Sequence, residues 1–477
     1  MFGFPATKDY SSGRFLRRGV LRYTGRTPFS RMSAAVCAFV ALLVMKTRRN
    51  ILAGAAAGLV ATALVASAGL TGASARAAVA TPTAKPVQDC LLPPATCYSP
   101  TNFRTAYGIQ PLLDHGIDGR GKTVALIELS TSPPEQFPPV TDIRQDLTRF
   151  DSVFRLPAAK IQVDNSLARA ATPWLTGGEE MQDTEIVHAI APDASIREVL
   201  VNEDALATPA SAIAAFTTAL RRASTEADVV SISVSLGEHF FTPGEAASLH
   251  QALELARARH VTVVAATGDF GASSDPAFDG GTVKEVSLPA SDPLVLAVGG
   301  TTLTASTKTG AYESETAWNT LPSEPGGHSS ASGGGFSHLY ARPGYQDGVP
   351  GTGTMRGVPD VAGDAGFYSG MAIAISDSKQ YLIGGATGTS AATPLWAALI
   401  ALADQQAHHD LGFVNPAIYR IAQSPAYAAA FHDVTSGNNT VKGPPVTITG
   451  YRAGRGWDPV TGWGSPNAQV LVPLLAR

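Results

Sequence analysis

The stretch VVSISVSLGEHFFTPGEAASLHQALELARARHVTVVAA, residues 229–266, contains the pattern that decides the fold. It begins with one apolar run, Val229 to Val234, and ends with another, Val261 to Ala266. Between them, Glu245 to Arg259 has apolar residues at helical spacing. A strand, a helix and a second strand in this order predict a βαβ unit with two parallel strands.

The same alternation continues on both sides of this unit. The further predicted elements are strands at Val124–Ile127 and Ile196–Val201 and helices at Asp142–Phe154, Ala210–Ser224 and Ser390–Gln406. Because βαβ crossovers are right-handed, the series predicts an α/β fold with a doubly wound, mostly parallel sheet and helices on both faces. Residues 301–370 are rich in Gly, Ser and Pro, and we expect loops there, over one end of the sheet.

Composition excludes several classes of protein. The chain is 44% hydrophobic and 16% charged, so it can bury a large core and is not disordered. Residues 1–75 hold ten Lys and Arg and one acid, which leaves 25 basic and 38 acidic residues and a formal charge of −13 for the remainder. A chain that acidic repels phosphate backbones, which argues against a nucleic-acid partner. Three cysteines exclude a disulfide-dense scaffold and a Cys-rich zinc module.

The first 80 residues have the character of a targeting segment. A basic stretch, Met45 to Arg49, precedes an uncharged run, Ile51 to Ser74, and small residues that resemble cleavage sites. That is the order of a secretory signal, so we expect the signal to start at Met45, after an upstream extension, and the protein to be secreted. An uncleaved anchor is the alternative, since about 20 apolar residues can span a bilayer. Residues 81–477 are predicted to form a single domain, without a large prosegment.

Cysteine usage fits an exported chain. Signal cleavage removes Cys37 and leaves Cys90 and Cys97, seven residues apart. These two either close a small disulfide loop or remain as free thiols.

The first candidate for catalysis is a serine at a helix start. The heptad Gly388-Thr389-Ser390-Ala391-Ala392-Thr393-Pro394 follows a predicted strand, Tyr381 to Ile383, and opens an apolar helix. Free N–H groups and the helix dipole favour negative charge at this position, which suits a nucleophile that attacks a carbonyl. A serine that only caps the helix is the alternative.

An acidic segment, GEEMQDTEIVHAIAP at residues 178–192, supplies candidate bases. Glu179 and Asp183 are four residues apart and so share a helix face. A solvated acidic face is the alternative. His188 is the best placed histidine if the base is an imidazole, although it lacks the His-Gly-Thr-His context of subtilisin-like enzymes.

A third motif joins a strand to a turn. The apolar run from Val263 to Ala266 leads into Gly268-Asp269-Phe270-Gly271. An ordinary Asp-containing turn is the alternative to a functional Asp269. A carboxyl group donates a hydrogen bond to an oxyanion only when it is protonated, which requires acidic conditions.

Taken in this order, the motifs resemble those of the sedolisins, the serine-carboxyl peptidases with a subtilisin-like fold. Further stretches that match the family are Leu288–Ser291, Ala297–Thr302, Gly333–Ser337 and Arg356–Val361. The resemblance implies that Ser390 is the nucleophile, Glu179 the general base, Asp183 the residue that orients Glu179, and Asp269 an oxyanion donor. It also implies an acid-acting endopeptidase that cleaves proteins or peptides. We expect the protein to be a monomer.

Two positions concern an extended acidic network that some sedolisins have. Glu128 matches the family's additional glutamate, whereas Leu236 stands where those members have tryptophan. Without that tryptophan, we expect the network to be incomplete and the pH optimum to differ.

The C-terminal region predicts a metal site. Asp433 and Asp458 flank Gly-rich backbone, and hard Ca²⁺ prefers carboxylate and carbonyl oxygens. The resemblance implies one structural Ca²⁺ held by Asp433, Val434, Gly454, Gly456 and Asp458. A pair of turn aspartates without metal is the alternative.

Two other functions remain open. One is a histidine-dependent, subtilisin-like peptidase, and the other is a non-catalytic secreted binding protein on a peptidase fold. All four catalytic positions are intact, which argues against the second. After signal cleavage we expect no stable membrane association.

Overall fold

The computed structural model describes residues 97–130, 141–168, 175–176, 178–274, 282–320, 329–366, 368–376, 381–442 and 447–477. They form an eight-stranded sheet. Its strands are β1 (Thr123–Ser130), β2 (Lys160–Leu167), β3 (Ser195–Asn202), β4 (Val229–Ile232), β5 (Thr262–Ala266), β6 (Leu296–Ala305), β7 (Tyr312–Ala317) and β8 (Val361–Asp364). The order is β7-β6-β5-β4-β1-β3-β2, and β8 also pairs with β6. Only the β6–β7 pairing is antiparallel, so the predicted mostly parallel sheet is confirmed.

Helices cover both faces of this sheet. They are α1 (Pro100–Ala106), α2 (Gln110–Asp114), α3 (Ile143–Phe154), α4 (Gly178–Ile190), α5 (Pro209–Ala223), α6 (Pro243–Ala258), α7 (Thr389–Ala407), α8 (Asn415–Ala422), α9 (Tyr427–Ala430) and α10 (Ala468–Leu475). In β1, Val124 and Leu126 belong to the core formed with α4 and α7. Ala125 and Ile127 belong to the core formed with α5 and α6. This alternation along one strand produces the predicted doubly wound arrangement.

Local sequence sets the start of two of these helices. Thr208 and Ser211 form a capping box at the start of α5, and Thr242 and Glu245 form one at the start of α6. In both helices a proline occupies the first position, where its missing N–H costs nothing.

The expectation of loops throughout residues 301–370 is wrong. Thr301 to Ala305 completes β6, and β7 and β8 join the central sheet within the same region. The glycines here permit close packing rather than marking loops. A Cβ atom on Gly363 of β8 would lie 3.0 Å from Leu395 Cδ2 and 3.4 Å from Ala392 Cβ.

Shorter elements surround the sheet. The paired segments are Thr141–Asp142 with Leu175–Thr176, Leu236–Gly237 with Ser287–Leu288, Asn319–Thr320 with Ser330–Ala331, Gly335–Ala341 with Met355–Val358, Ala372–Ser376 with Tyr381–Gly385, and Phe431–His432 with Ser465–Pro466. Glu203–Ala207, Glu238–Phe240 and Gly344–Gln346 form 3₁₀ turns.

The predicted extension and signal, with Cys37 and Cys90, lie outside the described residues. Cys97 is disulfide-bonded. None of the helices in the described ranges combines the length and the apolar character that crossing a bilayer requires.

Candidate active site

The predicted catalytic residues lie where the parallel strands end, the edge at which α/β proteins bind ligands. Glu128 is close to the carboxyl end of β1, and Asp269 follows β5. Glu179 lies in the first turn of α4 and Ser390 in the first turn of α7. The fold therefore brings residues from distant parts of the sequence to one edge of the sheet.

Ser390 is the second residue of α7, two residues after Gly388. Its hydroxyl group donates to the carbonyl oxygen of Ser233 at 3.5 Å and lies close enough to the Glu179 carboxylate to lower the pKa of that group. Gly388, which precedes the helix, has φ of 85°, and a Cβ atom there would lie 2.7 Å from Asp269 Oδ2. Glycine at this position thus allows the serine and the aspartate to approach each other.

Glu179 and Asp183 lie one turn apart on α4. Glu179 is partly exposed to solvent, whereas Asp183 is completely buried. Burial raises the pKa of Asp183 to about 7. Protein packed around the Glu179 carboxylate, together with the charge of Asp183, raises the pKa of Glu179. Glu179 is therefore a stronger base than an ordinary carboxylate, as proton transfer from a serine requires.

Two further side chains hold Asp183. The Ser233 hydroxyl donates to Asp183 Oδ2, and the Glu128 carboxyl group lies close enough to Asp183 to lower its pKa. Two adjacent carboxyl groups can share a hydrogen bond only when one of them is protonated. Burial and the surrounding negative charges raise the pKa of Glu128, which favours its protonated form. Glu128 contacts Asp183 although Leu236 occupies the position of the family's tryptophan.

Asp269 is fixed by the residue that precedes the serine. Its Oδ1 accepts hydrogen bonds from Thr389 N at 2.9 Å and from Thr389 Oγ1 at 2.8 Å. The Gly268 amide donates to the same threonine hydroxyl at 3.1 Å. Burial raises the pKa of Asp269, although the two hydrogen bonds from Thr389 oppose this, and the shift favours its protonated form.

Sequence reasoning missed three residues of this site: Ser233, Thr389 and Gln182. Gln182 Oε1 accepts the Thr387 amide at 2.9 Å and so ties α4 to the turn before Ser390. Ser233 immediately follows β4, and its place at the carboxyl end of a parallel strand was the signal that could have identified it. No comparable signal marks Thr389 or Gln182.

The neighbouring candidates on α4 have other contacts. His188 is buried, and its Nε2 lies 2.9 Å from Asp151 Oδ1 and 2.9 Å from the Pro157 carbonyl oxygen. Glu185 accepts the Ala374 amide at 2.6 Å. Both side chains are therefore held away from Ser390.

Four of the predicted metal residues are hydrogen-bonded in two pairs, Asp433 with Gly456 and Asp458 with Gly454. Both oxygens of Asp433 lie within 3.2 Å of the Gly456 amide. Asp458 Oδ2 accepts the Gly454 amide at 3.1 Å, and burial raises the pKa of Asp458 to about 6. The Tyr427 hydroxyl donates to the Trp463 carbonyl oxygen at 3.1 Å, and the negative charges of Asp433 and Asp458 add to burial in raising the pKa of Tyr427. The described ranges contain no cluster of three or more His, Cys, Asp or Glu side chains suited to a metal, so two carboxylates would need backbone oxygens to complete a site.

Comparisons with known proteins show which proteins the chain is similar to. Residues 174–422 match the model of the subtilase family. Kumamolisin from Bacillus sp. (strain MN-32) is 36% identical over 394 residues, covering 80% of this chain and 65% of that protein. Sedolisin from Pseudomonas sp. (strain 101) is 38% identical over 213 residues, covering 44% of this chain and 34% of that protein.

A solved structure resembles the whole described fold. It is that of Pseudomonas sedolisin, a serine-carboxyl proteinase, complexed with two molecules of pseudo-iodotyrostatin. The TM-score is 0.65 and the identity 28%, and the match covers 80% of this chain and 98% of that one. The subtilisin-like fold is thereby confirmed, although this chain spans less than two thirds of the length of the curated relatives above.

Proposed function

The chain belongs to the subtilase family and, within it, to the sedolisins, and from this premise we propose that it is an acid-acting serine-carboxyl endopeptidase. The observation that carries the proposal is the proximity of the Glu179 carboxylate to the Ser390 hydroxyl group, with Asp183 one turn behind Glu179 and Glu128 beside Asp183. A carboxylate occupies the place of the general base, and His188 is engaged elsewhere.

In the proposed reaction, Ser390 Oγ attacks the carbonyl carbon of the scissile peptide bond. Glu179 accepts the serine proton and passes it to the leaving amine, which departs as the acyl-enzyme forms. Water then attacks the acyl-enzyme ester while Glu179 takes a proton from that water. Glu179 returns this proton to Ser390 Oγ as the ester bond breaks, which releases the second product and regenerates Ser390. Asp183 orients Glu179 throughout.

The oxyanion of each tetrahedral intermediate needs hydrogen-bond donors. We assign these to the protonated carboxyl group of Asp269 and the backbone N–H of Ser390. Because Asp269 donates only while protonated, its ionisation ends activity as the pH rises. Protonation of Glu179 removes the base as the pH falls, so Asp269 sets the upper pH limit of activity and Glu179 sets the lower limit.

We also propose one structural Ca²⁺ in the C-terminal loop. The chemistry of the donor set fits the ion, since Asp433 and Asp458 supply carboxylates and Val434, Gly454 and Gly456 supply backbone oxygens. The ion would neutralise two carboxylates that lie close to the same tyrosine, Tyr427. In this role Ca²⁺ stabilises the loop and takes no part in bond cleavage.

The proposed substrates are proteins or peptides, which the exported peptidase encounters outside the cell. The acidic charge balance of residues 76–477 supports this assignment over a nucleic-acid partner. We further propose that the chain is monomeric and leaves the membrane after signal cleavage.

Digestion of a denatured protein at pH 4 tests the proposal. Wild type and Ser390→Ala are compared after circular dichroism has shown both to be folded, with fragments identified by mass spectrometry. Internal cleavage by the wild type that disappears in Ser390→Ala is expected. A folded, calcium-loaded wild type that cleaves nothing between pH 2.5 and 8 would favour the binding-protein alternative.

A further inference from the structure

The segment Ala331–Gly333 is hydrogen-bonded to the turn that carries Asp269. The Ala331 amide donates to the Asp269 carbonyl oxygen at 2.9 Å, and the Gly333 amide donates to the Gly268 carbonyl oxygen at 2.7 Å. A Cβ atom on Gly333 would lie 2.0 Å from the Thr267 carbonyl oxygen. The backbone position of Asp269 therefore depends on where this segment lies.

Ser332, at the centre of the segment, connects it to two other parts of the fold. Its side chain is completely buried. The hydroxyl group donates to the Val460 carbonyl oxygen at 2.8 Å and accepts the Gly300 amide of β6 at 2.9 Å. One hydroxyl group thus joins the segment to the central sheet and to the C-terminal loop.

Val460 belongs to a loop that is organised by Asp458. Asp458 Oδ1 accepts the amides of Val460 at 2.8 Å and Thr461 at 2.9 Å. Asp458 Oδ2 accepts the Thr461 hydroxyl at 2.9 Å. Asp458, Val460 and Thr461 are all buried. A continuous series of buried hydrogen bonds therefore runs from Asp458 through Ser332 to the Asp269 turn.

We propose that Ser332 is a positioning residue for the peptidase reaction. Through its hydrogen bond to Val460 it holds residues 331–333 in place and so fixes Asp269 where the oxyanion forms. The proposal rests on the proposed function of Asp269 as an oxyanion donor.

The physical reason is the cost of losing the hydroxyl group in a dry environment. Ser332→Ala leaves the Gly300 amide and the Val460 carbonyl oxygen without their partner. The segment then shifts to relieve this loss, and the Asp269 turn follows it. Oxyanion stabilisation depends on donors held at a defined position, so a small displacement reduces the rate.

The test measures the affinities of two inhibitors that share one peptide sequence and differ only in their terminal group. The sequence is chosen for tight binding to the wild type. A peptide aldehyde forms a tetrahedral hemiacetal with Ser390 and needs the oxyanion donors, whereas the corresponding peptide alcohol binds without forming one. In Ser332→Ala we expect kcat and aldehyde affinity to fall about tenfold, with KM and alcohol affinity within about twofold of the wild type.

Ser337→Ala is the matched control. Ser337 lies on the same stretch of chain and is equally buried, but its hydroxyl group donates to Glu238 at 2.6 Å. We expect this variant to lose thermal stability while keeping the wild-type ratio of aldehyde to alcohol affinity. A general loss of packing would lower both affinities together in either variant.

A second variant, Thr461→Val, removes a hydroxyl group at the far end of the same series. It should lower aldehyde affinity in the same direction, and its effect should not add to that of Ser332→Ala in the double variant. An unchanged aldehyde-to-alcohol ratio in Ser332→Ala would overturn the positioning role alone. A wild type that neither cleaves peptides nor binds the aldehyde would instead contradict the proposed function, and the positioning role would fall with it.

Discussion

Replacing the buried Glu198 tests whether carboxyl groups inside this fold make it more stable in acid than at neutral pH. Glu198 lies in β3 with no solvent exposure, and Thr184 Oγ1 donates to its Oε1 at 2.7 Å. Burial, opposed only in part by that hydrogen bond, raises the pKa of Glu198 from 4.5 to about 8. The negative charges of Glu180 and Asp183 act in the same direction.

The sign of the effect follows from proton binding. Between pH 4.5 and 8 the folded chain keeps a proton on Glu198 that the unfolded chain releases. The free energy of unfolding therefore falls as the pH rises, by about 1.4 kcal/mol per pH unit for this one group. Across the whole interval the difference reaches about 5 kcal/mol.

Glu198→Gln removes this dependence, because the amide stays neutral at every pH and still offers an oxygen to Thr184. The assay is urea denaturation of the wild type and the variant at unit intervals from pH 4 to 8, at constant ionic strength. We expect the free energy of unfolding of the variant to fall less steeply as the pH rises. The difference in slope is up to about 1.4 kcal/mol per pH unit, the value for one proton. Glu313→Gln, at an exposed position, is the control and should follow the wild type. Parallel stability curves for the wild type and Glu198→Gln would refute the reasoning.

Three further perturbations address the site and the loop. Asp269→Ala should reduce kcat by about 10² to 10³ with little change in KM, and steady-state kinetics at the pH optimum would expose an undiminished kcat as contrary evidence. Gly388→Ala places a Cβ atom 2.7 Å from Asp269 Oδ2 at a φ of 85°. We expect kcat to fall more than about tenfold and the midpoint of urea denaturation to drop. Wild-type values of both would contradict the need for glycine in this turn. Chelation of Ca²⁺ should lower the thermal midpoint of the wild type and leave that of Asp458→Asn almost unchanged, while equal shifts in scanning calorimetry would argue against a site at Asp458.

Much of the fold was predictable because apolar periodicity directly reports burial. The run from Val229 to Val234 and the one from Val261 to Ala266 became adjacent parallel strands, β4 and β5. The strand at Lys160–Leu167 was not predicted, because it lies at the edge of the sheet and its residues alternate between exposed and half-buried. Such a strand lacks the apolar run on which the other predictions relied.

The candidate site was predictable only as separate motifs. Sequence spacing placed Glu179 and Asp183 on one helix face, and α4 confirms that helix. It could not show that Ser233 and Glu128 converge on Asp183, since those contacts join three elements far apart in the chain. Contacts of this kind depend on how the strands are ordered in the sheet, which local periodicity does not report.

The dependence of kcat/KM on pH tests the central claim most directly. The measurement covers pH 2.5–8 with an internally quenched peptide, for the wild type, Ser390→Ala and Glu179→Gln. A carboxylate base and a protonated Asp269 predict a bell-shaped profile confined to acidic pH for the wild type, and loss of activity in both variants. Activity that peaks near neutral pH and survives Glu179→Gln would contradict the assignment of Glu179 as the general base.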